Sequence, residues 1–573
     1  MYLKKCVSKK TGRTYLQIVH GYRDQNGKPK AKVIKSVGYL DQLQKIYDDP
    51  IAHFKEVAKA MTEEATKEKN IEFQIPLEAQ VERGNSNRKN YGHIVFSKIY
   101  HELEIDRFLD NKRRHENFKF NSEAIMRLLL FGRLLYPRSK LGTFEIRDRF
   151  FDNFKFTIDD IYECLSHYDE IATSLQHFLH EKVVEQYKRD TSLVYYDVTN
   201  YYFETDKEDE YRRKGAGKDK RGKPIVQMGL VLDRNSIPVT YNIFAGNTHD
   251  SQTLMPVMKE IRKKYNVGRI IVVADKALNS GDNIAFNTVL GDGYIFSKSV
   301  KGADADFKKY ALKESGYEAG KEKEYKRKSR VIPVKIDVTI TGHGKSKKTK
   351  KVVIDQKQVI IYSEKYAKRS KFKREQLLAK AVDLIENPSK YRKTIAHGAA
   401  SYINNLQFDK KTGEVLDTGK SLSLNLEKIK EEEKFDGYYA IVTSELDMPD
   451  DSILEAYHGL WRIEEAFKIT KSTLDARPIF LRTQRHINAH FLICFLALLI
   501  SRLTEIRLGD KYNIDKIIDT LRQVECSHIS QNYYLFDFAN EVTDNINSAF
   551  GLNIGKKVMS LGDIKKNLGL AKK

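Results

Sequence analysis

Cysteine is scarce in this sequence: four residues among 573 (Cys6, Cys164, Cys494, Cys526), no two of them close together. Such spacing excludes a disulfide framework and a CxxC zinc site, and it suits a reducing compartment. Long apolar stretches are missing as well. The opening MYLKKCVSKK lacks the apolar core of a signal peptide. The longest apolar run, Phe491 to Ile500, is about half of the roughly 20 residues that span a bilayer. A soluble, cytoplasmic protein without membrane association is therefore expected. No internal repeat stands out, and no His/Cys cluster offers a site for a soft metal. What is abundant excludes a disordered chain: hydrophobic residues make up 41% and aromatics 11%. The length allows two to four domains at roughly 150 residues each.

Charge is strongly one-sided. Lys and Arg number 100 against 78 Asp and Glu, a formal +22, and such a surface field attracts phosphate backbones. The excess is also unevenly placed. Residues 301–375 hold 23 Lys/Arg and 10 Asp/Glu, a net +13. Within that stretch EYKRKSR (324–330) and GKSKKTKK (344–351) alternate with the β-type runs VIPVKIDVTI and QVIIYS. Lysines laid on strands fit a segment that grips nucleic acid, although a solvated surface hairpin has the same composition.

Pattern divides the chain into six stretches. Residues 1–75 read as small β structure, with a turn at Asn26-Gly27, followed by an exposed charged helix. Residues 76–190 are mostly helical, with apolar spacing in EAIMRLLLFGRLLY and a further helix beginning at KLGTFEIRDRF. That outline is either a DNA-contacting helix–turn–helix or a packing unit. From 191 to 300 short buried strands alternate with helices: SLVYYDVTN, KPIVQMGLVLDRNSIPVTYNIFAG, RIIVVAD and GYIFSKS. Residues 301–435 form the basic, β-rich insertion. The strand GYYAIVTSE, a helix near 450–472 and an apolar helix at 487–505 complete the core over 436–510. A helical region closes the chain over 511–573. A mixed sheet flanked by helices and interrupted by an insertion defines an α/β fold class.

Two aspartates end apolar strands, Asp197 after LVYY and Asp275 after IIVVA. Groups at the carboxyl ends of such strands face the functional crevice of an α/β sheet, though a carboxylate there is also a common helix cap. Two on neighbouring strands repel, and a hard divalent cation relieves that repulsion. A third acid is expected from the helix YHGLWRIEEAFKITK, residues 457–471. Residues seven apart on a helix differ by about 700°, within about 20° of two turns. Tyr457, Glu464 and Lys471 thus form one stripe, with Lys468 beside it; an amphipathic surface helix with solvated pairs has the same spacing.

Together DVTN (197–200), GNTHDS (246–251), VVADKALNSGDN (272–283) and YHGLWRIEEAFKITKS (457–472) resemble the DDE transposases of bacterial insertion sequences, in the insertion-sequence-four superfamily. The likeness extends over about 190–505. It implies an RNase H-like fold, binding of the terminal inverted repeats of the protein's own element, and metal-dependent strand cleavage and strand transfer. It implies a catalytic and metal-binding triad of Asp197, Asp275 and Glu464, holding Mg²⁺ or Mn²⁺ as two ions. Tyr457, Lys471 and Lys468 would contact phosphate. The partners implied are double-stranded DNA and a second copy in a synapsed homodimer, at the nucleoid.

Some residues depart from the pattern. The family's arginine position on the last helix is Leu460, and Arg462 lies about 200° from Glu464 and is no substitute. Glu465 as the triad acid would break both seven-residue relations. The only Trp, Trp461, sits on the signature helix. His249-Asp250 reads as turn structure, His458 as a helix-surface residue, and RRKGAGKDKRGK (212–223) as either a DNA-holding loop or a surface hairpin. Two other functions share these features: a nuclease that cuts without joining, and a transposase-derived DNA-binding protein.

Overall fold

The structure is a computed structural model of residues 1–573. It describes all of them except 9–10, 24–28, 68–77, 79, 81–85, 115–118, 216–221, 321–324, 342–346, 388–397, 409–414, 417–420, 531 and 573. The turn at Asn26-Gly27 lies outside the described residues. The chain divides into two compact units, Met1–Asn85 and Ser86–Lys573.

The first unit is an antiparallel sheet of β1 (Tyr2–Val7), β2 (Thr14–Arg23) and β3 (Pro29–Tyr39), in that order, with the helix α1 (Pro50–Lys67). Leu16, Leu43 and Phe54 form its small core. The amino-terminal ammonium donates to Thr62 Oγ1 at 2.6 Å, tying the start of β1 to α1.

The second unit is built on a mixed nine-stranded sheet. After a short strand, Arg88–Asn90, and the helices His93–Glu102 and Ile105–Arg113 come the helices α2 (Ser122–Leu135), α3 (Lys140–Glu145) and α4 (Ile158–Tyr187). Then come β4 (Leu193–Tyr202), β5 (Ile225–Asp233), β6 (Pro238–Ala245), α5 (Leu254–Lys264), β7 (Ile271–Ala274), α6 (Gly281–Val289) and β8 (Gly293–Lys298). The chain continues through β9 (Glu318–Ala319), the long hairpin β10 (Tyr325–Thr341) and β11 (Lys347–Ser363), and the helix α7 (Glu364–Glu386). It returns with β12 (Tyr438–Thr443), α8 (Asp450–His458), α9 (Trp461–Lys468) and α10 (Gln484–Arg507). Strand order is β9-β10-β11-β12-β8-β7-β4-β5-β6. Only β4, β7 and β8 run parallel to one another; every other pair is antiparallel.

Continuous apolar runs become central strands because both faces of this sheet are covered. All nine residues of β5 are buried. Along β4 the alternation of side chains sorts the two faces. Tyr195 and Tyr201 join the core that contains α2, α4 and α10, while Val194, Tyr196 and Val198 join the core with α5 and α6. The helix α10 lies within the first of these cores. By length and hydropathy it is apolar enough to cross a membrane, but 89% of its most apolar window is buried inside the protein. Every residue from Phe491 to Ile500 is at most 2% exposed. Burial at about 1.5–3 kcal/mol per large apolar side chain makes such a helix a strong organiser of the fold.

The hairpin of segment 301–435 extends the central sheet through β11–β12 pairing, and the segment also contributes the 23-residue α7. Two expectations need amending. The closing region 511–573 is not only helical. Its strands Glu525–Ser530, Tyr533–Phe536 and Val558–Ser560 form a four-stranded sheet with Arg88–Asn90 from the helical region. Finally, the uniform helix expected near 450–472 is broken into α8 and α9 at Gly459-Leu460, then ends in a π-helical turn, Ile469–Thr473.

Gly459 marks the closest approach of this region to the sheet. A Cβ there would overlap the hydroxyl of Tyr195, which is only 2% exposed and cannot swing away. Gly459→Ala is therefore expected to destabilise the protein by about 1–3 kcal/mol, read as a lowered midpoint of thermal unfolding. Adding Tyr195→Phe, which removes the overlapped oxygen, should recover part of that loss. An unchanged midpoint in Gly459→Ala would show that the packing is looser than described.

Candidate active site

Asp197 projects from β4 on the face shared by Tyr195, Thr199 and Tyr201. In the parallel pairing of β4 with β7, Tyr195 stands opposite Val273. The ladder between these strands ends at that pair, one residue before β7 itself does; carried on by two residues, its register sets Asp275 level with Asp197 on strands about 4.8 Å apart. Asp275 thus follows the end of β7, whereas Asp197, expected at a strand end, is the fifth of the ten residues of β4, which runs on to Tyr202 because β5 pairs with it from Val194 to Tyr202. Asp275 follows the last residue of β7 with extended backbone (φ −78°, ψ 170°) and opens a single 3₁₀ turn, Lys276–Leu278. It is exposed, and Asp197 is half-buried.

The next strand supports the second aspartate. Ala274 stands opposite Phe296 on β8, which puts Ser297 beside Asp275. The Ser297 hydroxyl donates to Asp275 Oδ1 at 2.8 Å. Tyr457, in the last turn of α8, closes this side. Burial pushes its phenol up to about 12, side-chain hydrogen bonding to Ser297 works against that rise, and the charges of Asp275 and Glu464 add to it. Tyr457 therefore lies within electrostatic reach of both acids and stays a neutral phenol across the physiological range.

Glu464 is exposed on α9, and α9 is fastened to β4 on either side of Asp197. Arg462 Nη1 donates to the Tyr195 hydroxyl and to the Arg234 carbonyl, each at 3.2 Å. Lys471 Nζ donates to Thr199 Oγ1, and the hydroxyls of Thr470 and Tyr201 meet at 2.8 Å. Nine helical residues rise about 13.5 Å and four strand residues span about 13 Å. The stretch from Arg462 to Lys471 consequently runs alongside β4 from Tyr195 to Thr199, with the residue that carries Glu464 between those anchors.

The seven-residue stripe does not survive as an ideal helix would draw it. Gly459 and Leu460 join α8 to α9 with tight i→i+3 bonds. In the π turn the amide of Leu474 bonds to the carbonyl of Ile469, five residues back. A π turn inserts extra backbone per revolution, and Lys471 is held to Thr199 rather than simply stacked above Glu464. Lys468 stands exposed in the last turn of α9 and makes no ion pair with Glu464 among the described residues. Leu460 is a partly buried apolar residue packed against the main core, so no cation occupies that position. Arg462 is engaged with Tyr195 and a backbone carbonyl, in keeping with its exclusion as a stand-in. Trp461 is 57% exposed.

A cleft of about 940 Å³ opens from Asp275, Ser297, Tyr457 and His458 toward α7. Its far wall carries Lys365, Arg369 and Lys373, four residues apart and so on one helical face. These three make no ion pair among the described residues. Lys298 adds a cation whose ammonium is lowered by burial, while Lys301 is paired with Glu432. Sequence reasoning missed this wall because residues 301–375 were read for strands and net charge, although EKYAKRSKFKRE carries the four-residue spacing of a helix. His458 is exposed at the rim of the cleft. Asp250–Gln252 is a 3₁₀ turn, closed by Thr253 Oγ1 donating to the Asp250 carbonyl at 2.6 Å, and it lines a separate cleft with Asn200 and Ala277. Residues 216–221 of the basic loop lie outside the described residues; within its start, Arg212 is paired with Asp209.

Among the described residues no three His, Cys, Asp or Glu side chains converge closely enough to enclose a metal. The donor set nevertheless suits one. Asp197 and Asp275 offer hard carboxylate oxygens in fixed register at an open edge, with no thiolate or imidazole among them, which selects an Mg²⁺- or Mn²⁺-like ion. Glu464 lies near Tyr457 but does not complete a closed cage. Ser297 orients Asp275, and loss of such a supporting group typically costs 10–100-fold in metal affinity. Ser297→Ala should weaken Mn²⁺ binding by about tenfold at an unchanged unfolding midpoint, measured by titration calorimetry. Equal affinity would remove Ser297 from the site.

Comparison with known proteins bears on the same residues. Residues 188–500 match the family model described as "Transposase DDE domain", and residues 3–72 match "IS1634 family transposase, N-terminal domain". Among solved structures, the chain is similar to the piggyBac transposase synaptic complex with hairpin DNA at 8% identity, covering 84% of each chain, with a TM-score of 0.34. It is also similar to the Mos1 transposase paired-end complex with left transposon end at 10% identity, covering 43% of this chain and 67% of that one, with a TM-score of 0.14. No curated protein matches.

Proposed function

The chain belongs to the DDE transposases of insertion sequences, metal-dependent enzymes of the polynucleotidyl-transferase type, and from that premise we propose that Asp197, Asp275 and Glu464 are its triad and that it cuts and joins the ends of its own element. One observation carries this reading: the parallel register of β4 and β7, which carried on by two residues sets Asp275 level with Asp197, with the chain that bears Glu464 pinned to β4 on both sides of Asp197. On this reading β4 to β8 and β12 form an RNase H-like core, split by residues 301–435. The reading takes two Mg²⁺ or Mn²⁺ ions, the terminal inverted repeats as double-stranded substrate, a homodimer in the synaptic complex, and a place at the nucleoid in the cytoplasm.

The residues divide the work. Bound divalent ions would supply the charge that activates a hydroxyl nucleophile and stabilises the leaving oxygen; Asp197 and Asp275 would hold them, with Glu464 moving in to complete the set. Lys471, fixed by Thr199, presents an ammonium beside the carboxylates for a phosphate oxygen. Tyr457 remains a neutral donor, and Lys468 is free to reach the backbone from the helix end. Lys365, Arg369 and Lys373 supply unpaired cations along the cleft, where a DNA strand leaving the carboxylates would be neutralised.

The first test separates this from a nuclease and from a silent DNA-binding protein. With Mg²⁺ or Mn²⁺ and the element's terminal repeats, joined products are expected; cleavage without joining would favour the nuclease, and binding alone the silent protein. Asp197→Asn, Asp275→Asn and Glu464→Gln should each lower cleavage by at least about 10³-fold, equivalent to some 4 kcal/mol, while retaining DNA binding. Intact cleavage in any one of them removes that residue from the triad.

The second test concerns the cleft. The triple substitution Lys365→Gln, Arg369→Gln, Lys373→Gln should lower DNA affinity at least tenfold and reduce the slope of log K against log salt by about two to three. The unfolding midpoint should not move. An unchanged slope would return α7 to solvent.

A further inference from the structure

A second basic site lies away from the carboxylates, where the turn between α2 and α3 meets the chain that follows Lys471. Lys140 is only 5% exposed, and its ammonium has no hydrogen-bond or ion-pair partner among the described residues. It lines a pocket of about 100 Å³. Beside it, Arg133 is 6% exposed and donates to the carbonyls of Leu474 and Asp475 at 3.0 Å and of Arg138 at 3.1 Å, so it fixes the pocket wall. The His490 ring bonds the Ala476 carbonyl at 3.0 Å, and burial, reinforced by the charges of Lys140 and Arg133, holds it neutral, far below its usual range. The carboxylate on the wall, Asp475, is exposed and pairs with neither Lys140 nor Arg133 among the described residues. Arg138 and Ser139 stand exposed at the mouth.

A buried cation without an acceptor is costly to keep, and folded proteins ordinarily satisfy or replace one. We propose that this pocket binds a single phosphate group, with Lys140 as its buried anchor, Arg133 behind it and Arg138 at the rim, and that a backbone phosphate of the transposon DNA is its source. Its size excludes a nucleotide, since pockets for drug-sized ligands run to about 300–1,000 Å³. Burial and the Arg133 charge bring the Lys140 ammonium down to about 7, so an anion in the pocket would hold it charged at neutral pH. Position supports DNA as the source. The pocket wall pairs with the end of β4 through the Phe203–Ile479 bridge. Six residues of strand separate Phe203 from Asp197, about 20 Å, or on the order of six steps of 3.4 Å along one DNA strand. This choice of source rests on the transposase reading; the pocket itself does not.

The test uses the full chain with a chelator present, so that it reads binding and not the triad. Sodium phosphate should raise the unfolding midpoint of the wild type relative to sodium chloride at equal ionic strength, and Lys140→Met should abolish the rise. On a duplex carrying the terminal repeat, Lys140→Met should lower affinity by about tenfold and flatten the salt slope by about one. Loss of the phosphate response with DNA binding unchanged would support the pocket with free phosphate as its ligand. If Lys140→Met does not fold, Arg138→Gln at the exposed rim takes its place, with a loss of two- to fivefold expected. A variant that responds to phosphate and binds DNA as the wild type does overturns the proposal.

Discussion

Two like charges held side by side are the constraint around which this molecule is arranged. The parallel register of β4 and β7, carried two residues past the Tyr195–Val273 pair, sets Asp275 level with Asp197. The register is secure because both sheet faces are buried, so a slip by one residue would turn Tyr195 and Val194 to the wrong cores. A divalent cation bound by both carboxylates would offset their mutual repulsion. The surroundings answer that demand: a serine hydroxyl on one carboxylate, a lysine near the other, and a phenol within reach of the third acid.

Everything that reaches this pair does so by crossing from another element. The helix α9 and the π turn after it are held to β4 by two cations and a pair of hydroxyls rather than by apolar packing alone. The π turn and the Gly459 break let one stretch of chain place Tyr457 toward Ser297 and Lys471 toward Thr199 at once, which a straight helix would not do. The cleft then carries positive charge away from the acids along α7, so the potential changes sign within one groove. A polyanion entering it is attracted by the wall and directed toward the carboxylates.

The buried cations between α2, α3 and the segment after Lys471 belong to the same economy. Arg133 satisfies the carbonyl of Arg138 in the turn between α2 and α3 and two carbonyls, of Leu474 and Asp475, in the irregular stretch after the π turn. The same stretch leads from the π turn to α10, and so joins the helical region to the end of β4.

Much of this was legible in the residues. The strands at LVYYDVTN, IIVVAD and GYIFSK announce themselves by continuous apolar runs; Asp275 does end its strand, but β4 runs five residues beyond Asp197, because pairing with β5 carries it on to Tyr202. The pair of strands around Asp233 to Ser236 was legible too, with Ser236 at a positive φ of 68° in the turn. Glu464 was legible as a helical acid near Tyr457. What the residues did not disclose depends on contacts distant in the chain. No periodicity in α9 states that Arg462 meets Tyr195, 267 residues away, or that Lys471 meets Thr199, 272 residues away. The basic wall was hidden because charge counting has no direction, whereas a helix face does. Nothing in KLGTFEIRDRF singles out Lys140, and only packing against α10 and the segment at 474–481 removes it from water. The sequence by itself determined which residues can form strands, which acids lie on or beside them and how much positive charge accompanies them, since those are local properties. The tertiary structure alone decided which of the acids stand together and which cations are buried, paired or left facing a partner, because burial and register are set by residues far apart in the chain.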